Sequence, residues 1–156
     1  MRRDSSFVQI FIGALLYLSV SVAAQAQIAI TNQQDLAFGR FVAGNGGTVS
    51  VSVTGARSST GDVFLIPSSA GLAAQFLVTG DADATYTIQL PANGAVNLTG
   101  PGADMPLSDF ISSPATVGQL SAVGSQTLTV GATLTVNSGQ LPGDYVGVLS
   151  VIVENE

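Results

Sequence analysis

The sequence predicts an all-β fold, an antiparallel β-sandwich of about eight to ten strands. Short runs of alternating apolar and polar residues recur along the chain, and residues 48–53 (TVSVSV) form the clearest of them. Turns rich in Gly, Pro and Asn separate these runs. No window carries the apolar stripe that an amphipathic helix requires. Together these patterns favour two packed layers of short strands.

The first 26 residues have the three parts of a secretory signal peptide. Two arginines near the start precede a mostly apolar stretch over residues 7–22, and small residues follow it. The expected cleavage-site residues are Ala24, Ala26 and Gln27. An uncleaved membrane anchor is the alternative, since about 20 apolar residues can span a bilayer. We expect cleavage, which leaves residues 27–156 as one exported domain in the periplasm, on the surface or outside a Gram-negative cell.

Alternation identifies the strands of the first half of the domain. Ile28 and Ile30 alternate with polar or small residues, and the run at 36–42 shifts phase at Gly39, where a bulge would restore the inward face. The predicted strands, in chain order, are 27–31, 36–42, 48–53, 62–67, 75–79, 84–90, 95–99, 106–112, 126–136 and 144–153. The runs at 95–99 and 106–112 alternate least clearly.

The last predicted strand, 144–153, is apolar on both faces. One face carries Tyr145, Gly147, Leu149, Val151 and Val153, and the other carries Val146, Val148 and Ile152. A strand that is apolar on both sides is normally buried on both sides. Either a loop or neighbouring strand of this chain covers the second face, or something else does.

Composition restricts the chemistry. Residues 27–156 contain no His, Cys, Lys or Trp, and two arginines face nine carboxylates, for a net charge of −7. Ser-His-Asp, Cys-His and Ser-Lys sites are therefore impossible, and zinc would lack its preferred ligands. The negative charge disfavours nucleic acid. We expect no catalytic residue, no cofactor and no metal site.

Two aspartates are the one candidate for a cation. Asp81 and Asp83 could both offer carboxylates to calcium, but the remaining ligands of a calcium loop are missing. A plain hairpin turn explains both residues more simply. A hydrolase that uses two aspartates ranks last among the functional hypotheses.

Several blocks of the sequence resemble a bacterial exported family, catalogued as domain of unknown function 4402. These blocks are residues 27–31, 35–44, 55–58, 84–91, 130–134 and 141–153. The resemblance covers the whole of residues 27–156. It implies no established activity.

The closing block is also similar to the last strand of chaperone–usher pilin subunits. There a Gly-x-Tyr-x-Gly turn, here residues 143–147, leads into an alternating apolar strand. In those subunits an immunoglobulin-like sandwich lacks one strand, which the N-terminal extension of the next subunit supplies. The resemblance implies a pilin-like sandwich whose partners are copies of itself or related surface subunits and a periplasmic chaperone. The candidate strand-exchange residues are Ile28, Ile30, Tyr145, Val146, Val148, Leu149, Val151, Ile152 and Val153.

The favoured hypothesis is a non-enzymatic structural or adhesive subunit of the bacterial surface, similar to a fimbrial subunit, that interacts through sheet edges. The alternative is a self-complete monomeric sandwich that binds carbohydrate or another surface protein. Before the polar residues 32–35 only Ile28 and Ile30 alternate, which is short for a donor strand. The analogy with pilins carries this preference, since the sequence contains no recognisable site.

Overall fold

A computed structural model describes residues 27–156, so Ala24, Ala26 and the rest of the predicted signal peptide lie outside the described residues. The described chain is all-β with antiparallel sheets, which confirms the predicted fold class. Its strands are β1 (Ala29–Gln34), β2 (Phe41–Val42), β3 (Gly47–Val51), β4 (Arg57–Gly61), β5 (Phe64–Leu65), β6 (Ala74–Thr79), β7 (Thr85–Gln89), β8 (Asn97–Leu98), β9 (Met105–Ser113), β10 (Val117–Gln119), β11 (Ser125–Val136) and β12 (Ile152–Asn155). Within this range, no helix has the length and hydropathy needed to cross a membrane.

The largest sheet is built around β11. Its strand order is β1-β6-β11-β3-β4, and β9 pairs with both β11 and β8. Along one edge β11 pairs first with β6 and then with β3. Gly131 lies where the partner changes, and a side chain there would collide with the Val51 carbonyl oxygen. Glycine therefore lets two strands meet β11 end to end on the same edge.

The second layer is smaller. It contains the sheet β10-β7-β12. The chain before β12 is bridged at Val146 to Thr99, next to β8 at the edge of the largest sheet. Strands β2 and β5 form a separate two-stranded pair, and β5 contacts β4. The Ala37–Leu72 bridge continues the β1–β6 ladder beyond its last pair, Gln34–Gln75, at the end of β1.

Two clusters of buried side chains lie between the layers. The first includes Val49, Val51, Met105, Leu107 and Leu134, and the second includes Val78, Tyr86, Leu128 and Val130. Strand β11 contributes to both clusters because every second residue from 128 to 136 points inward. Each fully buried aliphatic side chain of this kind stabilises the fold by about 1.5–3 kcal/mol.

Hydroxyl side chains cover the opposite face of the same sheet. The hydroxyl oxygens of Thr48 and Thr60 lie 2.7 Å apart, and those of Ser50 and Thr133 lie 2.8 Å apart. These pairs join β4 to β3 and β3 to β11. The outer face is thus held by uncharged cross-strand hydrogen bonds.

The strands differ from the sequence-based expectation at both ends of the described range and at four inner positions. The predicted strands 36–42 and 62–67 shorten to the two-residue strands β2 and β5. Alternation missed β4 and β10, because the Arg-Ser-Ser-Thr-Gly sequence of β4 offers no apolar row and β10 is only three residues long. Strand β1 runs through the polar residues 32–34, where the Gln34 side-chain amide donates to the Ala73 carbonyl oxygen. The predicted strand 144–153 was wrong over 147–151, which form no ladder pair.

Candidate strand-accepting groove

A groove of about 1350 Å³ opens between two extended segments of the chain. We call residues 35–44 the first wall and residues 140–149 the second wall. Its floor consists of core side chains from β6, β8, β9 and β11 and the loop before β8. These floor residues are Ala74, Phe76, Val96, Leu98, Met105, Leu107 and Leu134. Phe76 and Leu98 on this floor are partly exposed and the other five side chains are buried, so the groove lies directly over the hydrophobic core.

The first wall is paired along one edge. The Ala37 amide and carbonyl exchange hydrogen bonds of 2.9 and 2.8 Å with Leu72, and β2 pairs with β5 further along. Phe38 points into the core and is buried. Among the described residues the edge that faces the groove has no ladder partner.

Arg57 fixes the first wall to the rest of the sandwich. Its Nη1 donates to the carbonyl oxygens of Phe38 and Arg40 at 2.9 and 3.0 Å, and its Nη2 donates to the Ile66 carbonyl oxygen at 2.9 Å. Gly39 lies between the two wall carbonyls with a φ of 68°, and a Cβ there would lie 2.7 Å from Arg57 Nη1. Gly39, where the sequence predicted a shift in the alternation, is thus the residue at which the first wall bends around the guanidinium group of Arg57.

Tyr145 fixes the start of the second wall. Its hydroxyl donates to the Leu141 carbonyl oxygen at 2.8 Å and accepts from the Gly102 amide at 2.9 Å. A tyrosine hydroxyl that bonds to backbone a few residues upstream also occurs at the tyrosine corner of immunoglobulin-like sandwiches. One bridge follows at once, in which Val146 and Thr99 exchange backbone hydrogen bonds of 2.8 and 3.0 Å.

Beyond that bridge the second wall has unpaired backbone and an uncovered apolar face. The exposed fractions are 70% for Val146, 82% for Val148 and 52% for Ile152. Val146 and Val148 are thus mostly exposed, while Ile152, in β12, is about half covered. On the inward face Leu149 and Val151 pack against the core.

The structure places the predicted strand-exchange residues in two groups. Tyr145, Val146, Val148 and Leu149 line the groove. Val151, Ile152 and Val153 follow beyond its lining, with the last two in β12. Ile28 and Ile30 are not part of the groove, because they pack against the second core cluster at the start of the chain.

The sequence predicted a strand over 36–42, but neither its role as a groove wall nor the binding of Arg57 to its carbonyl groups. The only signals were the phase shift at Gly39 and an arginine in a chain that has very few basic residues. Neither signal indicates which backbone carbonyls a guanidinium will bind, since those carbonyls come from segments 9 to 19 residues away.

Ionisable side chains are sparse at the groove. Asp35 and Arg40 belong to the first wall and Asp144 to the second. Asp81 and Asp83 lie elsewhere, in the turn between β6 and β7. Within residues 27–156 no three His, Cys, Asp or Glu side chains come together as a metal site would require. The arrangement is suited to holding an extended chain through backbone hydrogen bonds and apolar contacts.

Tyr86 is a buried ionisable residue that lies outside the groove. Its ring is fully buried and packs against Gly118, where a Cβ would collide with it. Burial raises the pKa of its hydroxyl, which donates to Gln126 Oε1 at 2.7 Å. This residue stabilises the second cluster and takes no part in the groove.

Fold and groove together define an antiparallel β-sandwich with an open strand edge. The chain belongs to the family described as Domain of unknown function (DUF4402), whose model matches residues 28–154. This match confirms the family resemblance seen in the sequence. No curated protein and no solved structure matches the chain.

Proposed function

We propose that this protein is an exported, non-enzymatic structural or adhesive subunit of the bacterial surface. In this proposal it interacts with its neighbours by strand addition at the groove between the two walls. The observation that carries the proposal is the unpaired backbone of 147–151 beside the exposed side chains of Val146 and Val148. An unpaired strand edge with an exposed apolar face is a template for another strand.

The size and chemistry of the groove support a polypeptide occupant. Small-molecule sites measure roughly 300–1000 Å³ and carry a few converging polar groups. This groove is larger, and its floor is made of aliphatic, aromatic and thioether side chains. The exposed valines of the second wall, Val146 and Val148, extend this apolar surface outward, where an added strand and its own domain would cover it.

Single cysteines provide a test, because the chain has no cysteine of its own. Val148→Cys places a thiol on the second wall, and Val123→Cys is the matched control on an exposed turn away from the groove. In purified protein both thiols should react with a membrane-impermeant maleimide at similar rates. On intact cells that make the protein, the thiol at position 148 should react at least about tenfold more slowly, which corresponds to about 1.4 kcal/mol of protection.

Two results would contradict the proposal. Equal labelling of both thiols on cells would show that the groove stays open and that no strand is added there. Failure of both thiols to react on intact cells, with normal reaction after lysis, would show that the protein is not at the surface.

A further inference from the structure

We propose that the added strand pairs with an open edge of about eleven residues, 145–155, which continues from the second wall through β12, and that a free segment of a partner protein supplies it. This inference rests on the proposed function and specifies the length and chemistry of the strand. It is supported by the direction of the backbone groups along this edge and by partly buried apolar side chains on the same side of the sandwich.

Residues 145–156 pair with the rest of the domain along one edge. Val146 exchanges backbone hydrogen bonds with Thr99, just after β8, and the Glu156 amide donates to the carbonyl oxygen of Thr85 in β7 at 3.2 Å. In an extended segment, residues two apart direct their N–H and C=O groups to the same edge. The even-numbered residues of this segment therefore face β8 and β7.

The connection between β7 and β8 lies along the same edge. Pro91 and Ala95 of that connection line a cavity of about 310 Å³ together with Val148 and Ile152. Because proline has no N–H to donate, the β7–β12 ladder does not continue past Gln89. On this edge the segment is therefore flanked by protein along its whole length.

The opposite edge of the same segment is open. Its backbone groups belong to the odd-numbered residues Gly147, Leu149, Val151, Val153 and Asn155. Within residues 27–156, β12 pairs with β7 alone, and the backbone just before β12 pairs with no strand. The edge that can accept a strand is therefore not confined to the groove. It continues along β12 and measures roughly 35 Å for eleven extended residues.

Strands β12 and β1 are edge strands on the same side of the sandwich. Strands β9 and β6 pair with opposite edges of β11, and only residues 114–116 separate β9 from β10. Since β10 lies over the β9 side, the order β10-β7-β12 places β12 over the side of β6 and β1. Five antiparallel pairings lead from β1 through β6, β11, β9 and β8 to the second wall, so β1 runs opposite to the second wall and β12. The first wall therefore lies beside the second wall, and β1 lies beside β12.

Partly buried apolar side chains border this side of the sandwich in both layers. Leu36 and Leu149 pack against both core clusters. Ile30 of β1 and the residues Val151 and Val153 pack against the second cluster and remain partly exposed. A strand added along the open edge would cover these side chains with its own inward-facing residues. The added strand therefore carries apolar side chains at alternate positions.

The added strand comes from a segment that is unpaired in its own molecule. Strand β1 is the segment that a second copy could offer, but it makes five ladder pairs with β6 and itself borders the open side. Removing β1 would expose Ile28 and Ile30, which pack against the second cluster. A free terminal or linker segment of a partner protein has no such pairing to break.

Three peptides test the inference on protein recovered after export from its full-length gene. The first has eleven residues of alternating threonine and valine, with threonine at both ends, and the second has seven residues of the same pattern. The third is the eleven-residue peptide with proline in place of the central valine and the threonine after it. Calorimetric titration gives each dissociation constant. We expect the eleven-residue peptide to bind at least about tenfold more tightly than the seven-residue one, since each further hydrogen bond contributes a factor of roughly five.

A variant of β12 tests the part of the edge that lies beyond the groove. Val153→Pro removes one N–H from the open edge and leaves the bonds to β7 in place, because the even-numbered residues make those bonds. It should reduce the ratio of the two dissociation constants about fivefold. The matched control, Val153→Ala, keeps the N–H and should preserve the ratio. In the unaltered protein, hydrogen exchange at the Val153 amide should slow at least about tenfold when the eleven-residue peptide is bound.

The outcomes separate this inference from the proposed function. Equal binding of the two alternating peptides, with weaker binding of the proline peptide and no protection at Val153, would confine the added strand to the groove and overturn the long edge alone. Self-association of the protein without peptide, abolished by Val153→Pro, would identify a second copy as the occupant and overturn the free partner segment. Binding unaffected by proline in the peptide, or absent for all three peptides, would contradict strand addition itself.

Discussion

The sheet around β11 and the walls of the groove are held in place by different kinds of interaction. In the first region the central strand β11 pairs on both edges, and alternate side chains such as Leu128 and Val130 are fully buried. In the second region the walls are held by a few specific hydrogen bonds and leave an edge open. The difference teaches that hydrophobic packing specifies the sandwich, while isolated polar anchors, Arg57 and Tyr145, keep its open edge in place.

Truncating the closed core should have the largest effect. Leu128→Ala removes a side chain that is completely buried in the second cluster and leaves a cavity, so we expect a loss of about 2–5 kcal/mol in the free energy of unfolding. The matched control is Val123→Ala, at a side chain that is 85% exposed, and it should change stability by less than about 0.5 kcal/mol. Urea unfolding measures both. Equal losses would show that the second cluster is not the closed core described above.

Removing the side chain that anchors the first wall should cause the second-largest loss of stability. Arg57→Met keeps the length of the side chain but loses its bonds to three carbonyl oxygens, two of them on the first wall. We expect a loss of about 1.5–3 kcal/mol, the usual range for hydrogen bonds to a charged group. Hydrogen exchange should speed up at Ile66, whose amide donates to the Arg40 carbonyl oxygen, before it does so in β11. Uniform acceleration over both regions would mean that Arg57 supports the whole fold equally.

Removing one hydroxyl from the second wall should have a smaller effect. Tyr145→Phe deletes the bonds to Leu141 and Gly102 while retaining the ring, so we expect about 1 kcal/mol of destabilisation. The change should also weaken binding of an extended peptide of alternating valine and threonine to the groove, because the wall loses its fixed start. Tyr86→Phe is the matched control, since it loses a hydroxyl bond to Gln126 far from the groove. Equal peptide affinity in both variants would separate Tyr145 from the groove.

The smallest effect should be the dependence of stability on alkaline pH. Burial raises the pKa of Tyr86 above its ordinary value of 10.0, so the unfolded chain ionises first as the pH rises. Below pH 10 the hydroxyl is neutral in both states and its contribution is complete. Above that pH the free energy of unfolding should fall, until the folded protein also ionises. Urea unfolding at several pH values from 8 to 11 should show a shallower decline for Tyr86→Phe, and identical slopes would contradict this assignment.

The sequence predicted the closed region far better than the open one. Alternation located β3, β6, β7 and β11 to within about two residues, because in these strands one face is buried and the other is wet. Strand β4 escaped detection because its stability comes from pairing with β3 and from the Thr48–Thr60 hydroxyl contact. Alternation of apolar and polar residues shows which face of a strand is buried. It does not show a strand that is held mainly by pairing with its neighbour.

The sequence shows that residues 144–153 are apolar on both faces, but it could not predict that one of those faces stays exposed. Alternation cannot distinguish a strand buried by its own domain from one whose second face, with Val146 and Val148, stays exposed. The groove also depends on where the first wall lies. That position is fixed by contacts between Arg57 and distant carbonyls, which leave no local signature in the sequence.

The engagement of Arg57 has a practical consequence for proteolysis. A trypsin-like protease cleaves after basic residues, and residues 27–156 contain only Arg40 and Arg57. The guanidinium of Arg57 is bound to three carbonyl oxygens, whereas Arg40 is exposed on the first wall. Limited digestion should therefore begin at the Arg40–Phe41 peptide bond. Protection of that one bond from cleavage would report directly, in crude samples and without labels, whether the groove is filled.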